Sequence, residues 1–243
     1  MDLRGRVALV TGAGHRVGRA IAVALGGRGM RVAVHYNAAA AGAEETLRQI
    51  RGVGGDGIIV ASDLTRHDAA PALIGTVVSE LGALDVLVNS AAVMVRMPFG
   101  EIMPQQWDDV MALNQRAPFF LAQAAAAHLR AAHGVIVNIA DLAAFETWPA
   151  YIPHGLSKSG VVYMTRALAR VLAPEVRVAG VAPGTVLLPD NWDPGSAEHL
   201  RQTTPLERNG SPADVSSTVL FILESDYLTG ETIIVDGGRH ARH

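Results

Sequence analysis

Short runs of β-branched and aliphatic residues alternate with longer segments of helical periodicity, and this alternation limits the fold more than any other feature of the chain. Strands are predicted at Val7 to Val10, Arg31 to His35, Gly57 to Ala61, Asp85 to Val88, Val135 to Ile139, Val176 to Val181 and Thr232 to Val235. Helices are predicted at Arg19 to Arg28, Ala40 to Arg51, Ala69 to Leu81, Pro104 to Ala132 and Ser157 to Ala173, with a kink at Pro118. Strands that alternate with helices are typical of a parallel sheet covered on both faces. The sequence therefore predicts an α/β fold, a doubly wound domain with a seven-stranded parallel sheet.

The length of the chain agrees with one such domain. Its 243 residues contain no linker rich in Pro, Gly and Ser, so we predict a single domain over residues 1–243. The segment from about 185 to 212 breaks the pattern because it carries four prolines, Pro189, Pro194, Pro205 and Pro212. Long loops at the carboxyl end of a parallel sheet often cover a ligand. We therefore expect a substrate lid over residues 185–212.

Composition argues against several classes of function. The formal net charge of −3 provides no general basic field, so neither nucleic acid nor a membrane surface is an expected partner. The absence of cysteine excludes disulfides and thiolate ligands, and the histidines show no metal-ligand spacing, so no metal is expected. No export signal is recognisable, and no apolar run reaches the about 20 residues that span a bilayer. We therefore expect a cytoplasmic protein.

A glycine-rich turn follows the first predicted strand. Gly12, Gly14 and Gly18 have the spacing G-x-G-x-x-x-G, one residue longer than the common dinucleotide fingerprint, and they lead into the first predicted helix. Glycines let the backbone approach a pyrophosphate, and the amino terminus of a helix offers amide donors and partial positive charge. The turn therefore predicts a dinucleotide site. A tight turn without a ligand is the alternative.

The end of the second predicted strand indicates which dinucleotide is bound. An Asp or Glu at this place binds a ribose 2′-hydroxyl, whereas a basic residue suits a 2′-phosphate. Here the strand ends in His35-Tyr36-Asn37 with no acid, and Arg16 stands in the glycine turn. These residues favour NADP over NAD. The alternative is a solvated Arg16 beside a half-buried His35.

Several motifs, in order along nearly the whole chain, resemble the short-chain dehydrogenase/reductase family, whose members are Rossmann-type domains. In that family Asn114 would match the helix Asn that holds a proton-relay water, and Lys158 the catalytic Lys. Asp236-Gly237-Gly238 would match the ending of the last strand. The resemblance and the glycine turn together predict the following cofactor-binding residues: Gly12, Gly14, His15, Arg16, Val17, Gly18, His35, Tyr36, Asn37, Asp63, Leu64, Asn89, Ser90, Ala91, Lys158, Pro183, Gly184 and Val186.

Within the family, the chain is most similar to the pteridine reductase and dihydromonapterin reductase branch. Three features carry this resemblance: Arg16 where most members have Gly, the ending His35-Tyr36-Asn37, and Asp141 where most members have a catalytic Ser. The resemblance implies NADPH-dependent reduction of a carbonyl or C=N group in a pteridine-like substrate. It also implies a homotetramer or homodimer, with the two longest predicted helices at the interface.

Two positions depart from the pattern of the family. The catalytic Tyr, four residues before the Lys, is replaced by His154, and the aromatic residue that stacks on a pterin corresponds approximately to Met94. An ionised Asp141 would stabilise an imidazolium at His154, whereas the Lys158 cation would oppose it, so that the imidazole could still exchange a proton near neutrality. We therefore predict that Asp141, His154 and Lys158 form a proton-transfer group.

Alternatives remain at this site. Tyr151 is a second candidate for the acid, although Pro153 predicts an extended approach to the helix there. Asp141 has the alternative of an Asx turn after the fifth strand. For the whole protein, the alternatives are a catalytically silent NADP-binding protein, and a ketoacyl or sugar-alcohol oxidoreductase of the same family.

Overall fold

The structure is a computed structural model that describes residues 1–186 and 194–241. Its strands are β1 (Val7–Val10), β2 (Arg31–Tyr36), β3 (Asp56–Ala61), β4 (Val86–Asn89), β5 (Val135–Ile139), β6 (Arg177–Pro183) and β7 (Thr232–Val235). They form one parallel sheet in the order β3-β2-β1-β4-β5-β6-β7. The predicted fold class is thus confirmed. The bounds of every strand lie within two residues of the prediction.

Helices cover both faces of the sheet. They are α1 (Arg16–Gly27), α2 (Ala40–Gly52), α3 (Ala69–Leu81), α4 (Pro104–Met111), α5 (Ala117–Ala132), α6 (Ile152–Leu172), α7 (Pro194–Thr203) and α8 (Pro212–Glu224). In β1, Ala8 and Val10 join one core with apolar residues of α1, α2 and α8, while Val7 and Leu9 join a second core with α3, α5 and α6. Successive side chains of a strand point to opposite faces, which explains why this strand is fully buried and continuously apolar.

Two helices begin earlier than the sequence predicts. α1 begins at Arg16 rather than Arg19, and α6 begins at Ile152 rather than Ser157. The extended approach expected at Pro153 is therefore wrong. Proline is tolerated in the first turn of a helix because the N–H that it lacks has no intrahelical partner there. This correction places His154 on the first turn of α6.

The long segment from Pro104 to Ala132 is not one kinked helix. A π-helical turn over Ala112–Arg116 separates α4 from α5, and Pro118 lies in the first turn of α5. Pro118 has no N–H to donate to the carbonyl of Asn114, four residues earlier, so the hydrogen-bond ladder of an α-helix is interrupted at Asn114. The irregularity expected at Pro118 thus lies one turn earlier, and π-turns of this kind are frequent at functional sites.

The expected lid is only partly described. Residues 187–193 lie outside the described part of the chain, and residues 194–203 form α7 rather than a loop. α8, which the sequence analysis did not predict, begins after Ser211, whose side chain and Asp214 form a capping box. A lid over residues 185–212 stays a prediction. In the described residues, no helix has the length and apolarity needed to cross a membrane, and no cluster of side chains is suited to a metal ion.

Candidate active site

A cleft of about 690 Å³ opens at the carboxyl ends of the strands. The order of the sheet reverses between β1 and β4, and open α/β sheets bind ligands at such a switch point. Of the predicted site residues, those lining the cleft are Gly12, His15, Arg16, Val17, Gly18, Ser90, Ala91, Asp141, Tyr151, His154, Lys158, Pro183, Gly184 and Val186. Those that do not line it are Gly14, His35, Tyr36, Asn37, Asp63, Leu64, Asn89 and Asn114.

The glycine turn at the amino end of α1 is shaped for an anion. Gly12 has φ +65°, and a Cβ on it would lie 2.8 Å from Cα of Ala91. A Cβ on Gly18 would collide with the carbonyl oxygen of Gly12. The N-cap residue, His15, makes no side-chain capping bond, and no acid occupies the first turn of α1. The first amides of the helix are thus not capped by these groups, which fits the pyrophosphate of a dinucleotide.

The buried side chain of His35 supports this turn through a hydrogen bond to its backbone. Its side chain is 2% exposed, Nδ1 accepts the N–H of Gly12 at 3.1 Å, and Nε2 lies 3.0 Å from the carbonyl oxygen of Ser62. A carbonyl can only accept, so the ring is the neutral tautomer with its hydrogen on Nε2. Burial lowers the pKa of His35, and the bond to Ser62 opposes this shift only in part. His35 is therefore fully rather than half buried, and its ring nitrogens bond to the backbone.

The neighbours of His35 are more accessible. Tyr36 is half-buried against the core on the side of α1, and Asn37 is exposed just beyond the carboxyl end of β2. Arg16, the first residue of α1, is exposed, lines the cleft and has φ +53°. This arrangement puts one cation at the pyrophosphate end of the cleft and no carboxylate at the end of β2.

Side chains also fix the ends of β3 and β4. Thr11 Oγ1 accepts the N–H groups of Ser90 and Ala91 at 2.9 and 3.0 Å, which ties the segment after β4 to the glycine turn. Asp63 forms an Asx turn with Thr65 at the end of β3. Leu64 is buried and Asn89 Nδ2 donates to Asn138 Oδ1 at 2.9 Å, so both of these side chains point into the interior.

Lys158 is a buried amine at the end of the cleft that also contains Asp141 and His154, the residues predicted to transfer a proton; we call this the catalytic end. Its side chain lies on α6, is 5% exposed, and Nζ donates to the carbonyl oxygen of Ile139 at 2.8 Å. Burial lowers the pKa of Lys158 to about 8, and the nearby Asp141 carboxylate opposes this shift. A small cavity of about 10 Å³ beside Lys158 is also lined by Asn89 and Asn114. Lys158 can therefore change its charge close to physiological pH.

His154 and Asp141 face each other across the cleft wall. Nδ1 of His154 lies 3.1 Å from the carbonyl oxygen of Val93, so Nδ1 carries a hydrogen. Nε2 is buried, has no hydrogen-bond partner, and lies 3.6 Å from Oδ2 of Asp141. The other oxygen of Asp141 accepts the N–H of Ala143 at 2.8 Å, which is the Asx turn expected as the alternative. The two readings of Asp141 are therefore compatible.

The two members of this pair differ in exposure. The side chain of Asp141 is 24% exposed, whereas that of His154 is 3% exposed. A neutral imidazole nitrogen and an ionised carboxylate oxygen are both acceptors and cannot bond to each other without a proton. The geometry is thus suited to a pair that holds one extra proton, with Asp141 as the member closer to the cleft and to solvent.

The backbone of Val93 organises this end of the site. Asn114 accepts the Val93 N–H at 2.8 Å and donates to the Val93 carbonyl at 2.9 Å, while its Nδ2 also lies 3.0 Å from Oγ of Ser157. The same carbonyl accepts the bond from His154. Asn114, on the π-helical turn, therefore fixes the segment to which His154 is anchored.

Tyr151, the other candidate acid, is the N-cap residue of α6 and is half-buried. Its ring packs edge-on against Trp148 with a centroid distance of 6.3 Å, and both rings line the cleft. The structure thus places Tyr151 in the same cleft as Asp141 and His154.

Comparison with known proteins identifies the family. Residues 12–240 match a family model described as enoyl-(acyl carrier protein) reductase. A protein of Streptomyces violaceoruber, described as ketoacyl reductase 2 of the granaticin polyketide synthase, is 36% identical over 96% of both chains. The 3-oxoacyl-(acyl-carrier-protein) reductase of Staphylococcus aureus is 34% identical over 96% of this chain and 97% of its own. The solved structure of a Serratia marcescens short-chain dehydrogenase/reductase variant has a TM-score of 0.92 at 30% identity, covering 99% of this chain and 100% of that one. The chain belongs to the short-chain dehydrogenase/reductase family.

As a short-chain dehydrogenase/reductase, the protein is an oxidoreductase of a family that uses nicotinamide cofactors. The residues of its site that the sequence analysis missed include Val93, and Arg96, Trp148 and Arg239 in the wall of the cleft. A further signal was available for a residue that was predicted. Lys158 is the only lysine among the 20 Lys and Arg residues of the chain. Where a cation merely has to be charged, this sequence uses Arg.

Proposed function

We propose that this short-chain dehydrogenase/reductase is an NADPH-dependent reductase that acts on a carbonyl or C=N group of a small substrate. Bound NADPH supplies the hydride that the substrate carbon receives. The residues of the chain bind the dinucleotide and deliver a proton to the substrate oxygen or nitrogen. The observation that carries the proposal is the fixed pair of His154 and Asp141, which lies in the same cleft as the glycine turn and Lys158.

The preference for NADPH rests on charge at the cofactor end of the cleft. Arg16 lines the cleft at the start of α1, and β2 ends without the acid that would repel a 2′-phosphate. Asn37 is exposed beside it and can donate to a phosphate oxygen. His35 contributes indirectly in this proposal, because it orients the N–H of Gly12 and its own nitrogens are bonded.

Proton delivery follows from the asymmetry of the pair. His154 keeps Nδ1–H on the Val93 carbonyl, so a second proton can reside only on its Nε2 side, between Nε2 and Oδ2 of Asp141. Asp141 is the more exposed partner, so it meets the substrate and exchanges protons with solvent, while His154 stores the proton behind it.

The aromatic side chains of the cleft and the names of the relatives both bear on the class of substrate. Trp148 and Tyr151 line the cleft and offer aromatic faces to a flat ring, which suits the pteridine-like substrate that the resemblance implies. The relatives whose names mention ketoacyl or 3-oxoacyl reduction favour a carbonyl substrate. A C=N or C=O group presents the same requirement to the chain, which is one proton at the heteroatom.

Three variants test this assignment. We expect Asp141→Asn and His154→Ala to lower kcat about 100-fold to 10,000-fold, the usual contribution of an acid catalyst, with the dissociation constant of NADPH unchanged. Tyr151→Phe is the matched control and should change kcat only a few-fold. NADPH oxidation would be followed with diketones, quinones, cyclic imines and dihydropteridines, and NADPH binding by fluorescence.

Each other result has a defined meaning. Loss of activity in Tyr151→Phe but not in His154→Ala would transfer the acid role to Tyr151. A wild-type protein that binds NADPH but reduces none of these compounds, and that gains activity in His154→Tyr, would instead be the catalytically silent NADP-binding protein.

We also propose that the enzyme is a homotetramer or homodimer in the cytoplasm. The helices expected at the interface expose apolar side chains: Phe119 and Phe120 on α5, and Tyr163 and Val171 on α6. Exposed aromatic residues on adjacent helices are typical of a surface that another subunit covers. Light scattering of the purified protein measures the number of subunits directly.

A further inference from the structure

The cleft contains more positive charge than the proposed reaction uses. Four lining residues are formally cationic, Arg16, Arg96, Lys158 and Arg239, and one described lining residue, Asp141, is acidic. The chain as a whole has a formal net charge of −3, so the cleft has the opposite sign to the molecule. The proposed function assigns Arg16 and Lys158 to the cofactor and its reaction, which leaves two arginines without a role.

Arg239 is presented to the cleft by a fixed turn after β7. The carboxylate of Asp236 accepts the N–H of Gly238 at 2.8 Å and also the N–H of His240, so it holds the backbone on both sides of Arg239. Gly238 has φ +88°, which few other residues adopt. The ring of His240 packs on Phe145 with a centroid distance of 5.7 Å. Because Phe145 directly follows the turn that begins at Asp141, this contact joins the arginine to the catalytic end of the site.

Arg96 is held from both sides of its own segment. The N–H of Met97 donates to the carbonyl oxygen of Ala150 at 2.7 Å, and the side chain of Met97 is buried. Three residues before Arg96, the backbone of Val93 forms two bonds to Asn114. Arg96 therefore projects from a segment that is anchored next to His154 at one end and next to Tyr151 at the other.

Neither guanidinium forms an ion pair or a hydrogen bond with any residue in the described part of the chain. Arg96 is exposed and Arg239 is half-buried, so each retains its donors for a ligand. Two guanidinium cations that line one cleft favour an anion over a neutral group as its ligand. The planar fork of donors on an arginine matches the oxygens of a carboxylate or a phosphate.

We infer that the substrate carries an oxyanion, a carboxylate or a phosphate ester, which Arg96 and Arg239 bind while its carbonyl or C=N group lies at Asp141. This inference rests on the proposed function, since it assumes that the remainder of the cleft holds a nicotinamide cofactor and a reducible group. The inference requires a negatively charged group on the substrate, because a neutral compound with the same reducible group would lack the contacts with Arg96 and Arg239.

Matched pairs of small ketones provide the test. Calorimetric titration of the NADP⁺-bound protein would compare 4-oxopentanoate with its methyl ester, and dihydroxyacetone phosphate with dihydroxyacetone. The ketones cannot be reduced in these complexes, because the cofactor is already oxidised. We expect at least one anion to bind about tenfold more tightly than its neutral partner, and Arg239→Gln and Arg96→Gln to remove most of this difference. Arg31→Gln is the control, because Arg31 is an exposed arginine at the amino end of β2.

The two arms identify which oxyanion the site prefers. Equal affinity within both pairs, or no binding of either anion up to about 50 mM, overturns the inference. So does a preference that persists in both arginine variants. NADPH oxidation with the two neutral ketones is measured in parallel. If the protein reduces a neutral ketone but shows no preference for anions, the proposed function stands and this inference is wrong. If it shows an arginine-dependent preference for anions but no NADPH oxidation, this inference stands and the proposed function is wrong.

Discussion

The two ends of the cleft present different kinds of groups to a ligand, backbone groups at one end and side chains at the other. At the cofactor end, the groups that would meet a ligand are largely backbone: the turn containing Gly12 and Gly18, and the first amides of α1, which the His15 side chain does not cap. At the catalytic end they are side chains, Asp141, His154 and Lys158, each anchored to a backbone group of another segment or turn. A backbone site tolerates many side chains as long as nothing fills it, whereas a side-chain site can change its chemistry by one substitution. This difference explains how the replacement at His154 can coexist with an ordinary cofactor turn.

The largest expected effect on NADPH affinity is at the cofactor end. Gly18→Val would place a side chain against the carbonyl oxygen of Gly12, which is backbone and cannot move aside. We expect NADPH affinity to fall at least about 100-fold, because overpacking here displaces the turn itself. Fluorescence titration with NADPH measures this change. Gly75→Ala is the control, since a Cβ there meets nothing within 4 Å and Ala is the better helix former. Unchanged affinity in Gly18→Val would show that the turn does not hold the dinucleotide.

Arg16→Ala tests the one side chain that the cofactor end uses for selectivity. A charge-assisted bond to a phosphate contributes about 1.5 to 3 kcal/mol, so the preference for NADPH over NADH should fall about 10-fold to 100-fold. The ratio of the two dissociation constants is the measurement, with Arg31→Ala as a matched control. A preference that survives in Arg16→Ala would remove this residue from the 2′-phosphate site.

Lys158→Met tests the catalytic end. Although it removes a hydrogen bond, this substitution should make the folded protein more stable at pH 7. The pKa of Lys158 is lowered to about 8 in the folded protein because the amine is buried. Below pH 8 the folded state bears the cost of a buried cation, so the Met variant should be about 2 kcal/mol more stable at pH 7, after allowance for the lost bond to Ile139. Between about pH 8 and pH 10.5 only the unfolded wild type keeps the proton, so wild-type stability rises and the advantage of Met shrinks.

Urea denaturation of both proteins across this pH range measures the difference. A constant difference between the two proteins from pH 7 to pH 10 would contradict the lowered pKa. A less stable Met variant at pH 7 would show instead that the Nζ bond to Ile139 outweighs the cost of burial.

His35→Asn tests a buried side chain at the cofactor end, where most of the groups that would meet a ligand belong to the backbone. Asn can still accept the N–H of Gly12 but cannot reach Ser62, so we expect about a tenfold loss of NADPH affinity. The lowered pKa of His35 also has a consequence in acid. The stability that neutral His35 contributes is fully present above about pH 6.5 and is lost as the pH falls through its lowered folded pKa.

The His35→Asn protein should therefore lose less folding stability than the wild type, measured by urea denaturation, when the pH is lowered from 7 to about 5. His128→Asn, an exposed position on α5, is the control. The same pH dependence of stability in His35→Asn and in the wild type would contradict the lowered pKa of His35.

The contrast between the two ends also explains what the sequence could predict. The strands were predictable because both faces of the sheet are buried, as in β1, where every residue is apolar. The glycine turn was predictable because Gly12 and Gly18 are required by local sterics. The start of α6 was not, because Pro153 is compatible with both an extended segment and a first helical turn.

The contacts of the catalytic end depend on residues distant in sequence. His154 is anchored by Val93, which in turn is held by Asn114, and no periodicity relates these three positions. Arg96 and Arg239 are distant in sequence, and only the fold brings both to the wall of one cleft. Such groups can be predicted as residue types at the ends of strands, but their partners require the fold.

Because the chain has a single lysine, an amine-directed reagent can label one side chain of the site selectively. The ε-amine of Lys158 is the only lysine amine of the chain, and the amine of Met1 donates to the carbonyl oxygen of Leu223 and does not line the cleft. Reductive methylation with an isotope-labelled reagent would therefore place one NMR reporter beside Asp141 and one outside the cleft. One spectrum would then follow titration, cofactor and substrate at the reacting centre, with an internal reference in the same chain.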